Sequence, residues 1–92
     1  MKAYELLATP DKWTQGPMAR NAAGESVPDL AEDACSWCMF GALVKCYGHS
    51  GIAFCEACRR VHEIIGCKII SFNETPGRTH AEVLDVLKRA DV

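Results

Sequence analysis

Two Cys-x-x-Cys pairs are the residues of this chain whose type and spacing best fit a known chemistry. Cys35 and Cys38 form the first pair, Cys55 and Cys58 form the second, and residues 39–54 separate them. Four thiolates at this spacing are typical of structural zinc sites, in which two tight turns bring the sulfurs around one ion. One interpretation of the pattern is therefore a small zinc-binding interaction module.

Helical periodicity favours a second interpretation, in which the cysteines pack in a hydrophobic core. Cys38 lies four residues after Ala34, and Cys58 lies on one helical stripe with Phe54 and Val61. Neither pair contains a Gly or a Pro to form a turn, and a free cysteine behaves as a small buried hydrophobe. We therefore expect no bound metal and no cofactor, and the zinc module is the alternative.

Catalysis by a cysteine is a further possibility that the sequence raises. Cys38, Asn73 and His80 are the residue types of a thiol hydrolase. The predicted helix, however, places Cys38 about nine residues from its N-terminus and on its packed face, where burial makes a thiol inert. A redox role for either cysteine pair would need a pair at a helix start after a strand, and the pattern places neither pair there. We expect a protein that is not an enzyme.

Five basic residues are the side chains that we predict to contact a partner: Arg59, Arg60, Arg78, Lys88 and Arg89. In this role they would touch the backbone of a guide RNA held by a protein partner, because phosphate contacts need cations but read no sequence. A solvated helix surface of mixed charge is the alternative. Ten Lys and Arg against twelve Asp and Glu give a net charge of −2, which predicts negligible binding to free nucleic acid.

A β-hairpin is predicted near the N-terminus, after a short helix over residues 2–8. Its strands would cover residues 13–20 and 25–27. Asn21 to Gly24 would supply the turn, because Asn opens turns and Gly adopts left-handed conformations. Pro17 would lie on an edge strand, since it has no N–H to donate to a ladder.

An antiparallel helical hairpin is predicted to follow. Asp29 would cap its first helix, with Glu32 completing a capping box, and Gly48 would end that helix. Ser50 would cap the second helix, which Gly66 would stop.

The Ile-rich segment at residues 67–72 is predicted to be a buried strand. Thr79 would then cap a last helix, with Glu82 as its capping-box partner. The apolar face of this helix would consist of Val83, Leu84, Leu87 and Ala90. Residues 1–92 are expected to form a single domain of the α+β class, with the helical hairpin and the C-terminal helix packed on a small β-sheet.

Polar residues surround the turn between this strand and the last helix. They are Asn73, Glu74, Arg78 and Thr79. A binding site is one interpretation of this cluster, because loops often carry function. Structural roles are favoured, since Asn73 is a turn former and Thr79 a helix cap.

Three segments of the chain form a recognisable signature. They are Trp13-Thr-Gln-Gly16, Trp37-Cys-Met-Phe-Gly-Ala-Leu43 and Phe72-Asn-Glu-Thr-Pro-Gly-Arg-Thr-His-Ala-Glu-Val-Leu84. In order and spacing they resemble a family of small uncharacterised proteins found in phages and bacteria, over nearly the whole chain. Members of that family usually carry the equivalent of Trp37-Cys38 without the other cysteines of the two pairs. The resemblance therefore implies that the pairs are not a shared metal site.

By its length and phage-like character, the chain is also similar to phage-encoded anti-CRISPR inhibitors. This resemblance implies a non-catalytic protein that binds and sterically blocks a host complex, such as a CRISPR surveillance ribonucleoprotein in the host cytoplasm. The longest apolar run, from Trp37 to Val44, is far too short for a membrane span, so no membrane contact is expected. The identity of the partner, the interface and the oligomeric state stay open.

Overall fold

Five α-helices and a three-stranded antiparallel sheet make up the computed structural model, which describes all 92 residues. The helices are α1 (Ala3–Leu6), α2 (Met39–Tyr47), α3 (Ile52–Ile65), α4 (Ile69–Glu74) and α5 (His80–Ala90). The strands are β1 (Ala19–Arg20), β2 (Ser26–Val27) and β3 (Ser36–Trp37), and a turn of 3-10 helix covers Pro10–Lys12. The predicted α+β class is confirmed. None of the helices combines the length and the apolar character that crossing a bilayer requires.

The central strand of the sheet is β1. Ala19 pairs with Val27 of β2 on one side and with Trp37 of β3 on the other. The predicted hairpin is present between β1 and β2, although its strands are shorter than predicted. The Asn21 side-chain oxygen accepts two backbone N–H groups of the turn at 3.0 Å, and Gly24 has the left-handed φ of 80° that the turn requires.

The first long helix begins at Met39, so the prediction that Asp29 caps it is wrong. The backbone carbonyl of Asp29 instead accepts a hydrogen bond from the Trp37 indole at 3.0 Å. Residues 36–37 form β3, because pairing with β1 satisfies backbone groups that a helix would otherwise have bonded. Cys38 is the N-cap of α2, and its sulfur accepts the N–H of Gly41 at 3.2 Å.

The second long helix, α3, ends where the sequence predicts and starts differently. Gly66 has a left-handed φ of 70°, and its N–H donates to the His62 carbonyl at 2.9 Å. Gly51, rather than Ser50, is the N-cap, so no side chain caps the first turn. The short connection of residues 48–51 lets α2 and α3 pack against each other as a helical hairpin.

The Ile-rich segment at residues 67–72 is not a strand, and the prediction of a buried strand there is wrong. Residues 69–72 of this segment form the first part of α4, in which Ile69 and Asn73 are buried one helical turn apart. A short apolar run does not distinguish a strand from a buried helix by its composition alone. Pro17 also departs from its predicted place, since it lies in a bend outside β1.

The last helix, α5, has the predicted capping box. The Thr79 hydroxyl accepts the N–H of Glu82 at 3.2 Å, and the Glu82 carboxylate accepts the N–H of Thr79 at 2.9 Å. On its predicted face Val83, Leu87 and Ala90 are buried, and Leu84 is partly buried. Val83, Leu87 and Ala90 join one core, whose other large and fully buried apolar members are Leu7, Met39, Leu43 and Val61.

Candidate functional site

The five predicted partner-binding bases do not form one cationic patch. Arg59 and Arg60 lie on α3, Arg78 precedes α5, and Lys88 and Arg89 lie in the last turn of α5. Arg59 pairs with Glu56 at 2.5 Å and also with Glu63, and Arg60 pairs with Glu56 at 3.3 Å. The pKa of Glu56 is lowered to about 2, and the largest cause is its hydrogen bonding with the Arg59 side chain. The outward face of α3 is therefore a network of balanced charge.

Two of the five bases meet at one groove, which we call the α3–α5 groove. Its volume is about 310 Å³, and it is lined by Ile64, Ile65, Phe72, Arg78, Glu82, Asp85, Val86 and Arg89. Arg78 lies 3.7 Å above the centre of the Phe72 ring and donates to the Phe72 carbonyl at 3.0 Å. Ion pairs join Arg78 to Glu82 at 3.3 Å and Arg89 to Asp85 at 3.6 Å. The groove thus combines an apolar floor with two arginines and two carboxylates.

The three signature segments converge on the side chain of Asn73, which is fully buried. Its oxygen accepts the Trp13 indole N–H at 2.7 Å and the Met39 backbone N–H at 3.0 Å. Its amide nitrogen donates to the Thr14 carbonyl at 3.2 Å and to the Glu74 carboxylate at 2.6 Å. One side chain therefore joins the N-terminal segment, the start of α2 and the end of α4.

The segment Trp13 to Gly16 supplies further bonds to the same place, which we call the Asn73 network. Gln15 donates to the Asn73 backbone carbonyl at 2.8 Å, and the N–H of Gly16 donates to the Glu74 carboxylate at 2.7 Å. Both carboxylate oxygens of Glu74 are thus used inside the network. The sequence raised Asn73 as a turn former, as a residue type of a thiol hydrolase and as part of a polar cluster, but not as the centre of this network. Three of its four side-chain partners lie 34 to 60 residues away along the chain. No local signal could have revealed that role.

The residue types of a thiol hydrolase are present but each is engaged elsewhere. Cys38 does lie at a helix N-terminus, contrary to its predicted place inside the helix, yet it is only 3% exposed and burial raises the pKa of its thiol. His80 Nε2 lies 2.6 Å from the Leu7 carbonyl, so this nitrogen carries the proton and donates it. No hydrogen bond joins Cys38 to His80, and the Asn73 side chain is occupied by its own network.

All six cysteines are free thiols, and the two Cys-x-x-Cys pairs lie on different elements. Cys35 precedes β3 and Cys38 caps α2, whereas Cys55 and Cys58 lie within α3. Cys38 is buried as the packing interpretation expects, and Cys58 is partly buried. No three side chains of the His, Cys, Asp or Glu type come close enough together to hold a metal ion.

These features define a small α+β domain in which Asn73 joins distant elements and in which Arg78 and Arg89 share one surface groove. A family described as being of unknown function (DUF6197) matches residues 1–91, and the chain belongs to this family. The expected membership of an uncharacterised family is thereby confirmed. No curated protein and no solved structure is significantly similar to the chain.

Proposed function

We propose that the protein is a non-catalytic binding domain that blocks a host assembly by occupying its surface through the α3–α5 groove. The composition of this groove carries the proposal. Phe72 and Val86 contribute to an apolar floor, and Arg78 and Arg89 stand beside it. Apolar pockets flanked by arginine are typical of the energetic centres of protein interfaces.

The Arg89–Asp85 ion pair of the groove, whose two side chains are each 63% exposed, can be exchanged for a pair with a partner. Exposed pairs of this kind contribute only about 0.2–1 kcal/mol each. A carboxylate of the partner can therefore replace Asp85 opposite Arg89 at little cost, while Phe72 and Arg78 stay stacked.

The partner that we propose is a CRISPR surveillance ribonucleoprotein, and the protein would act on it in the host cytoplasm. This choice rests on the resemblance to small phage inhibitors. The charge distribution favours contact with a protein subunit over contact with the guide-RNA backbone. Four of the five predicted bases already pair with carboxylates, and only Lys88 has no ion pair, whereas each phosphate contact needs an available cation.

Two observations support binding over catalysis. The thiol of Cys38 has a raised pKa and accepts a backbone hydrogen bond, so it is a poor nucleophile. The most distinctive motif residue, Asn73, is fully buried with four hydrogen bonds inside the fold. Asn73 thus serves the architecture, whereas the signature residues Phe72 and Arg78 line the α3–α5 groove and are available for recognition.

The decisive experiment mixes the protein with a purified surveillance complex and measures both co-migration and binding of target DNA. We expect co-migration and loss of DNA binding. Arg89→Glu is expected to weaken the interaction about tenfold, or about 1.4 kcal/mol. Lys45→Glu is the matched control, because it reverses one exposed cation on another helix outside the groove.

Two results would overturn the proposal. If no tested surveillance complex co-migrates with the protein, the partner class is wrong. If a complex binds and Arg89→Glu has no more effect than Lys45→Glu, the α3–α5 groove is not the contact.

A further inference from the structure

A second pocket lies among α2, α3 and α4 and shares no residue with the α3–α5 groove. Its volume is about 230 Å³, and it is lined by Phe40, Cys58, His62, Lys68, Ile69 and Ile70. We call it the α4 pocket. The five predicted bases take no part in it, so it is independent of the proposed function.

The charge around the α4 pocket is one-sided. Lys68 and His62 are its only ionisable side chains other than the Cys58 thiol, and no carboxylate lines it. Both are exposed, and neither side chain takes part in a hydrogen bond or an ion pair within the fold. The α3–α5 groove differs, because each of its arginines already faces a carboxylate. The α4 pocket is therefore an apolar surface beside one cation, Lys68, and one imidazole, His62, both of which can donate hydrogen bonds to an anionic group.

The apolar part of the α4 pocket extends outward onto the surface. Ile69 is 3% exposed and forms part of the floor, whereas Ile70 is 52% exposed. A small molecule within the pocket would leave the outer surface of Ile70 in water. A polypeptide segment would cover that surface, and burying apolar area stabilises a complex.

We propose that the α4 pocket binds an extended segment of a partner protein in which a bulky apolar side chain is followed or preceded by a carboxylate. The apolar side chain enters between Phe40 and Ile69. The carboxylate pairs with Lys68 and accepts a hydrogen bond from the imidazole of His62. Such a segment would bury the apolar walls of the pocket and give Lys68 and His62 a hydrogen-bond acceptor.

A short synthetic peptide tests the proposal directly. The probe is a blocked peptide containing Asp-Phe-Asp, and the readout is alkylation of individual cysteines in the intact protein, resolved by mass spectrometry. We expect the peptide to slow alkylation of Cys58, which lines the pocket. Cys55 is the internal control, because it is exposed on the same helix and does not line the pocket. Peptides containing Lys-Phe-Lys or Asp-Ser-Asp are expected to give no protection.

Matched variants separate the pocket from general surface effects. Ile70→Ser and Lys68→Glu are expected to weaken peptide binding about fivefold each, since one removes apolar area and the other reverses the charge. Ile52→Ser removes an isoleucine that is 90% exposed elsewhere, and Lys45→Glu reverses a cation elsewhere; both should leave binding unchanged. Circular dichroism should show that all four variants stay folded, because the substituted side chains are exposed.

Three outcomes would overturn the proposal. Equal protection by the Lys-Phe-Lys peptide would show that charge plays no part. Protection of Cys58 by octanoate but not by the Asp-Phe-Asp peptide would assign the pocket to a small carboxylic acid. Equal weakening by Ile70→Ser and Ile52→Ser would show that the peptide binds outside the pocket.

Discussion

Replacing Asn73 with alanine is the change that we expect to destabilise the fold most informatively. The substitution leaves three backbone or indole groups without partners: the Trp13 indole N–H, the Met39 N–H and the Thr14 carbonyl. A buried group without its hydrogen bond costs about 1–3 kcal/mol. Met39 is fully buried and should cost the full amount, whereas Trp13 and Thr14 are partly exposed and recover some bonds with water.

The sum of these terms is about 3–5 kcal/mol. A domain of this size has a free energy of unfolding of about 5–15 kcal/mol, so the variant should lose a large part of its stability. Urea unfolding followed by tryptophan fluorescence and circular dichroism measures the loss. Asn21→Ala is the matched control, because Asn21 is the only other asparagine and serves one exposed turn; it should cost about 1 kcal/mol.

The acid isostere Asn73→Asp tests the donor side of the same network. It places a carboxylate oxygen against the Glu74 carboxylate and the Thr14 carbonyl, where the amide donated before. The new carboxyl group binds its proton more tightly in the folded chain than in the unfolded chain. Stability relative to the wild type should therefore fall as the pH rises above about 4, the ordinary pKa of Asp.

One result of the alanine experiment would refute this reasoning. If Asn73→Ala lost no more stability than Asn21→Ala, the hydrogen bonds of the Asn73 network would not contribute substantially to the stability of the fold.

The remaining predictions concern local packing, capping and metal content. Gly41→Ala should cost about 2 kcal/mol or more in urea unfolding, because its new Cβ would lie 2.2 Å from the Met18 carbonyl oxygen; wild-type stability would contradict the close approach. Thr79→Ala should cost about 1 kcal/mol by the same assay through loss of the helix cap, and an unchanged unfolding midpoint would argue against it. Cys38 should be alkylated far more slowly than Cys55 in the native protein, because it is buried with a raised pKa; equal rates would show an open α2 N-terminus. A chelator should leave the helical circular dichroism unchanged. If the chelator instead removed one zinc ion per chain and the helicity was lost with it, the alternative interpretation of a structural zinc module would be supported.

Local signals in the sequence predicted the elements whose stability is local. The hairpin turn from Asn21 to Gly24 and the stop of α3 at Gly66 follow from residues that tolerate turn geometry. The capping box of Thr79 and Glu82 is likewise complete within one helical turn. These features need no distant partner, so sequence reasoning could find them.

The errors fall where a distant contact outweighed a local preference. The apolar spacing of Ala34 and Cys38 and the capping pattern at Asp29 predicted a helix. Residues 36–37 instead pair with β1, and the Trp37 indole N–H donates to the Asp29 carbonyl. The Ile-rich segment predicted a strand, but its α4 helix places Asn73 against the N-terminal segment and the start of α2. In both cases the interactions that determine the local structure, the pairing of β1 with β3 and the hydrogen bonds of Asn73, join residues far apart in the chain.

The candidate sites show the same division. The sequence by itself determined the residue types available, the balanced charge and the absence of a long apolar segment. Only the tertiary structure decided that Arg78 and Arg89 share a groove and that Lys68 and His62 share a pocket. The reason is physical: a groove or pocket is a property of the space between packed elements, and the distances across that space depend on contacts that no local pattern records.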